Sequence, residues 1–267
     1  MRHLIPFLKA RPLVPVIRLS GVIAASGRLG SVLNDASLAP LIDRAFRRGR
    51  PAAVALVINS PGGAPVQTAL IAARIRRLAE EKSIPVHAFV EDIAASGGYW
   101  LASAADHIWL DDCSVVGSIG VVSSGFGLHE LIGRYGIERR LYTAGKRKSL
   151  LDPFRPEDPD DVARLNRIIA EMHRSFIAQV RSRRGTRLAD APGLFEGEIW
   201  VGSEAVRVGL ADGIAHPTPK LKEIYGDKVR LVPLGLRRPL FQRLGAALVS
   251  DAIAGVEERA LWARYGL

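Results

Sequence analysis

Ala52-Ala53-Val54-Ala55-Leu56-Val57-Ile58, followed at once by Asn59-Ser60-Pro61-Gly62-Gly63, is the stretch that decides the fold. Its first seven residues are a continuous apolar run of strand length, the pattern of a strand covered on both faces. The next five break that run, and Pro65 to Lys82 then carries Val66, Leu70, Ala73 and Leu78 on a roughly helical period. Strand, glycine turn and helix repeat downstream. Val86 to Val90 reads as a strand, Glu91 to Ala95 as a turn, Ser96 to Ala105 as a small-residue helix and His107 to Leu110 as a strand. Upstream, Val14 to Ile23 reads as a strand and Leu33 to Arg48 as a helix. Such alternation predicts a layered α/β fold with a mostly parallel sheet.

A further strand pair is expected around Gly117-Ser118-Ile119-Gly120-Val121. Asp158-Pro159 offers an N-cap followed by proline at the first helical position, and Val162, Leu165, Ile169, Met172, Phe176 and Val180 then form an apolar stripe ending near Gly185. Leu240 to Tyr265 reads as a C-terminal helix. No linker divides the chain, so residues 1–267 are expected to form a single domain.

Composition narrows the functional classes. A chain of 267 residues, 48% hydrophobic and 24% charged, buries a substantial core. Its one cysteine, Cys113, can form no internal disulfide and belongs to no cysteine-based metal motif, which fits a reducing compartment. A net charge of +10 could draw nucleic acid, anionic lipid or acidic partners. The arginines are dispersed, however, at Arg47, Arg48, Arg50, at Arg74, Arg76, Arg77 and at Arg181, Arg183, Arg184, without aromatic interleaving or a nucleic-acid motif. They read as solvated faces and helix ends, and no nucleic-acid role is expected. Lys9, Arg11, Pro12, Pro15 and Arg18 interrupt the apolar start, which therefore reads as neither a signal peptide nor a membrane span. The expectation is a cytosolic chain, with room for peripheral contact at the cytosolic face of a membrane through its charge and the Leu240 to Tyr265 segment.

The chemistry gathers at Ala94-Ala95-Ser96-Gly97-Gly98-Tyr99-Trp100. A serine between small residues at a strand–helix junction is accessible, and helix N-terminal amides beside it can stabilise an alkoxide or an oxyanion. Read alone, Ser96 is better explained as a helix cap, the commoner role of serine there. Asn59 to Gly63 supplies a second such turn, whose glycines let backbone amides approach a substrate; an ordinary tight turn has the same look. A serine nucleophile needs a base. His3, His87, His107, His129, His173 and His216 offer no convincing setting, with His87 and His107 inside apolar strands. The basic loop Gly145-Lys146-Arg147-Lys148-Ser149 is the alternative, although a bare run of this kind is usually a solvated loop. A lysine works as a base only when neutral, and lowering a lysine pKa from about 10.4 to about 7.5 takes about 4 kcal/mol, which burial and neighbouring cations can supply.

Taken in order, these segments resemble the SppA-type signal peptide peptidases, also called protease IV. Ser60-Pro61-Gly62-Gly63 is similar to the family's oxyanion turn, Ala95 to Tyr99 to its nucleophile segment, Gly117 to Val121 to its support loop and Gly145 to Phe154 to its lysine segment. Gly197 to Gly202, with Ala205, Gly209, Leu210 and Asp212, resembles its closing motif, so the likeness runs from about Val54 to Asp212.

The resemblance implies a ClpP/crotonase-like fold and a Ser–Lys serine endopeptidase. Ser96 would be the nucleophile and Lys148 the general base, since the family's base is the lysine immediately before the serine. Gly62, Gly63 and Gly97 would line the oxyanion hole, with Ser118 orienting the lysine. It implies no metal or organic cofactor, and substrates that are unfolded peptides or signal-peptide remnants. Because SppA-type enzymes assemble each site from two catalytic units, a single-unit chain implies a homo-oligomeric ring. The N-terminal membrane anchor common in the family is not expected in this sequence, so location and substrate do not carry over with the resemblance. Two rival readings are a crotonase-type acyl-CoA hydratase or thioesterase and a catalytically silent peptide-binding ring.

Overall fold

A computed structural model describes residues 11–25, 32–145, 147–235 and 261–266. Its strands are β1 (Leu13–Ser20), β2 (Val54–Ser60), β3 (Val86–Ala95), β4 (His107–Leu110), β5 (Val115–Gly117), β6 (Ile199–Val201), β7 (Gly213–Ile214) and β8 (Arg230–Leu234). The helices are α1 (Asp35–Arg47), α2 (Pro65–Lys82), α3 (Gly97–Ser103), α4 (His129–Arg134), α5 (Pro159–Arg184), α6 (Gly202–Arg207) and α7 (Pro217–Tyr225). The described residues form two compact units, one drawn from the chain before Gly120 and after Ile177, the other Gly120–Ile177.

The sheet of the first unit runs β6-β5-β3-β2-β1-β8, and β3 also pairs with β4, which pairs in turn with β7. Every described pairing is parallel except β5 with β6. The expected mostly parallel α/β fold is thus what the chain adopts. β2 sits between β1 and β3 and is buried almost throughout, which is why Val54 to Ile58 is apolar at successive positions rather than alternate ones. Asn34 caps α1 by accepting the Ser37 N–H at 2.9 Å, and α2 opens on Pro65 and closes on Ser83 in the left-handed region.

Three expectations need correction. Glu91 to Ala95 is not a turn: β3 continues to Ala95, because Ile93, Ala94 and Ala95 pair with Val115, Val116 and Gly117 of β5 after a register shift against β2. The strand pair around Gly117 stops at Gly117, where Ser118 takes a φ of 49°. Val14 to Ile23 is a strand only to Ser20, Ile23 forming isolated bridges with Leu33 and Gly63. The expected helix at 240–265 lies mostly outside the described residues; its end, 261–263, is helical.

Arginines read as solvated turn out partly internal. Arg184, only 2% exposed, makes a bidentate pair with Asp212 at 2.8 and 3.1 Å. Arg76 and Arg183 both reach Asp106, at 2.8 and 3.1 Å. His87 is packed as expected, and burial, helped by the neighbouring His107, pushes its pKa down to about 4. His107 is exposed instead, stacked on the His87 ring.

Candidate active site

Ser96 stands between the end of β3 and the start of α3 with φ 50° and ψ −121°. A non-glycine residue holds that conformation only when its surroundings impose it, and such residues gather at functional sites. Here the imposing contacts are visible. The Ser96 N–H donates to Gly117 O at 2.9 Å, and its carbonyl accepts from Tyr99 and Trp100 N–H at 3.0 and 3.1 Å. The hydroxyl makes no capping hydrogen bond to α3, which removes the cap explanation. Among the described residues it has no side-chain partner at all.

Glycine is required around it because backbone meets backbone. A Cβ on Gly62 would lie 2.8 Å from Gly97 N and 2.9 Å from Ala95 O; one on Gly98 would lie 2.3 Å from Ser60 O. At Gly63, where φ is 141°, a Cβ would fall 2.0 Å from Ile23 O. These contacts bring the Asn59 to Gly63 turn directly against the Ser96 elbow. Ser60 is fully buried and donates to Gly21 O at 2.7 Å while accepting the Gly62 N–H at 3.3 Å. Gly62 therefore spends its N–H inside the turn. Among the described residues the Gly63 and Gly97 N–H groups meet no acceptor; backbone donors left open in this way are of the kind that can hold a developing oxyanion.

Ser118 follows the glycine whose carbonyl receives the Ser96 N–H, and its own N–H donates to Glu198 O at 2.7 Å. Glu198 and Trp200 crowd Gly117, so the Gly197 to Gly202 segment braces this loop. Tyr99, fully buried on α3, donates to Leu210 O at 2.8 Å; burial raises its pKa. The Arg184–Asp212 pair then fixes the segment carrying Leu210, Arg184 Nε also donating to Gly209 O at 2.8 Å. Sequence reasoning missed this brace. The cue was available in Tyr99, a hydroxyl-bearing aromatic in a helix that otherwise carries only small or apolar residues and so needs a buried partner for its O–H.

Lys148 belongs to the second unit, on an exposed turn where its N–H donates to Gly145 O at 3.2 Å. Ser96, Gly62, Gly63, Gly97 and Ser118 all belong to the first. Lys146, the other lysine of that loop, lies outside the described residues. The second unit carries large apolar side chains in the open, Phe126 at 85% and Tyr142 at 90% exposed among them, together with Val122, Leu131, Tyr135 and Ile137.

The model of peptidase family S49 matches residues 78–224, more than half of the chain and a range that includes Ser96, Ser118 and Lys148. The chain belongs to peptidase family S49. It is thus a member of a serine peptidase family, as its motifs implied. It is 33% identical to a putative protease of Methanocaldococcus jannaschii over 64% of this chain and 54% of that one. Over its whole length it is 44% identical to 39% of a Brucella melitensis protein named as the Na(+)/H(+) antiporter NhaA. It thus spans well under two thirds of either relative. Among solved structures it resembles the membrane-bound stomatin-specific protease 1510-N, as a mutant with a substrate peptide, at a TM-score of 0.50 and 16% identity over 93% of this chain and 99% of that one. That likeness bears on the fold alone. No described helix is long and apolar enough to cross a membrane.

Proposed function

We propose that this S49 chain is a Ser–Lys endopeptidase of unfolded peptides whose sites are completed between subunits of a homo-oligomeric ring. The observation that carries the reading is Ser96 itself: a strained elbow, a hydroxyl with no capping bond and no side-chain partner among the described residues, and beside it the Gly63 and Gly97 N–H groups, for which the described residues supply no acceptor. In the proposed cycle a neutral Lys148 takes the Ser96 proton and Ser96 Oγ attacks the peptide carbonyl. The oxyanion lies on the two glycine amides, and collapse expels the amine, protonated by the lysine. Lys148, neutral again, then deprotonates a water that attacks the acyl ester, and the Ser96 Oγ–acyl bond breaks as the lysine returns the proton to Ser96.

Exposure of Lys148 bears on where that base is made. An exposed ammonium is well solvated, so the desolvation that favours a neutral amine has to come from another surface closing over it. The exposed aromatic and aliphatic residues of the second unit suit burial against a second copy. Wild-type cleavage is expected to rise from acidic toward mildly alkaline pH as the lysine loses its proton, and Lys148→Arg to be nearly inactive, because guanidinium keeps its proton there. Initial rates across that range, with chemistry shown to limit turnover, check this; a flat wild-type profile would count against Lys148.

A membrane setting is favoured by one further observation. Proteins named as an antiporter contain a segment 44% identical to the whole of this chain, and this chain carries a net charge of +10. We infer that it works close to a membrane surface, drawn there electrostatically. Sedimentation with anionic vesicles is expected at low salt and should weaken as salt rises; its absence at low salt would remove this reading.

A further inference from the structure

The hydroxyl of Ser118 is presented by a strained backbone, its φ of 49° lying in a region that residues with a Cβ seldom adopt. What meets that hydroxyl is the far end of the chain: Tyr265 Oη donates to Ser118 Oγ at 3.2 Å. Tyr265 sits in a short turn, its N–H bonded to Trp262 O at 3.0 Å and that of Gly266 to Ala263 O at 3.2 Å. Leu261, Trp262 and Tyr265 are half-buried there while Ala263, Arg264 and Gly266 are exposed, so Tyr265 lies on the inward side of the segment.

We propose that Tyr265 gates the peptidase site, its phenol occupying the Ser118 hydroxyl that the lysine base of a neighbouring copy must reach. The inference rests on the Ser–Lys reading, in which Ser118 orients Lys148. A serine hydroxyl has one donor and two acceptor positions, so a second partner is allowed by count. Space is the difficulty. An amine hydrogen-bonded to Ser118 Oγ must sit in the same shell, about 2.7–3.2 Å away, in which the phenol already stands with a six-carbon ring behind it. The displacement exchanges one neutral hydrogen bond for another, so little separates the two states. A docked substrate and an incoming lysine are enough to move the segment aside, and without them the tail holds the base off.

Full-length protein in its assembled form tests this, as wild type, Tyr265→Phe and Tyr265→Ala. The readouts are the rate at which a fluorophosphonate labels Ser96, followed by peptide mapping, and kcat/KM on an unfolded fluorogenic peptide. Both are expected to rise roughly 3- to 10-fold in the two variants, the factor for one hydrogen bond removed. Tyr265→Phe keeps the ring and guards against a folding loss. Labelling of Ser96 that is unchanged or slower in both variants overturns the gate and leaves the nucleophile assignment standing. No labelling of Ser96 in any form, with cleavage persisting in Ser96→Ala, overturns the assignment and the gate together. In Ser96→Ala, saturating peptide is expected to speed amide exchange across residues 261–266; no change there also overturns the gate.

Discussion

Ser96→Ala and Lys148→Ala are each expected to abolish peptide cleavage, by a factor on the order of 10⁴ or more, and to restore it when mixed. Neither loss is a matter of stability, since Ser96 Oγ caps nothing and Lys148 is exposed. Rescue follows if one copy gives the serine and the next gives the lysine. In a ring assembled at random from equal amounts, half of the serine positions carry Ser96 and half of those face an intact Lys148. Roughly one site in four is then complete, and activity should return to about that fraction of wild type. Cleavage by mixed oligomers, purified through two different affinity tags so that both variants are present, is the measurement. Silence in verified mixed rings would sink the shared site and leave each residue's role intact, as a pair within one chain would require.

The physics of short range explains what could be read from the sequence. Val54 to Ile58 declares a doubly covered strand because every side chain on it meets apolar neighbours, and Gly62, Gly63, Gly97 and Gly98 declare close backbone approach because nothing larger fits. Ser96 was legible as a candidate, but its freedom from capping was not, since that depends on a ψ of −121° imposed by β5 and α3. Glu91 to Ala95 misled because local composition suggests a turn while the pairing that makes it strand comes from residues 115–117. Arg184 misled in the same manner. A run of arginines at a helix end looks solvated until a carboxylate 28 residues later folds onto it. The Tyr265 contact, 147 positions from Ser118, has no local signature at all.

That distant carboxylate gives the second large effect. Asp212→Asn is expected to destabilise the folded chain by about 3–5 kcal/mol, the loss that follows when one member of a buried ion pair is removed and the other stays buried. Arg184 would be the stranded charge, left with Gly209 O and at most the one amide oxygen of the asparagine, whose NH2 group would face the guanidinium instead of the second carboxylate oxygen. Arg187 also donates to Asp212 at 3.1 Å, and the Ile108 N–H at 2.7 Å, so the asparagine would lose a hub rather than a single contact. Burial by itself would raise the Asp212 pKa, but the Arg184 hydrogen bonds, the Ile108 amide and the charges of Arg184 and Arg187 outweigh it and hold the carboxyl below its ordinary value of 3.8. A carboxyl lowered on folding stabilises fully above its unfolded pKa and loses that contribution as pH falls through the folded value. Wild type should thus lose this contribution in acid below about pH 4, whereas Asp212→Asn should show a flatter acid limb. The melting temperature at neutral pH should fall on the order of 10 °C. The site should feel it as well, since Leu210, whose carbonyl holds the Tyr99 hydroxyl beneath α3, lies between Gly209 and Asp212. The double change Arg184→Met with Asp212→Leu removes both charges and should cost less than Asp212→Asn alone, because no ion is left buried without its partner. Denaturant unfolding of the three proteins decides it: a loss under about 1 kcal/mol in Asp212→Asn, against the expected 3–5, would show that the pair is solvated rather than a buried brace.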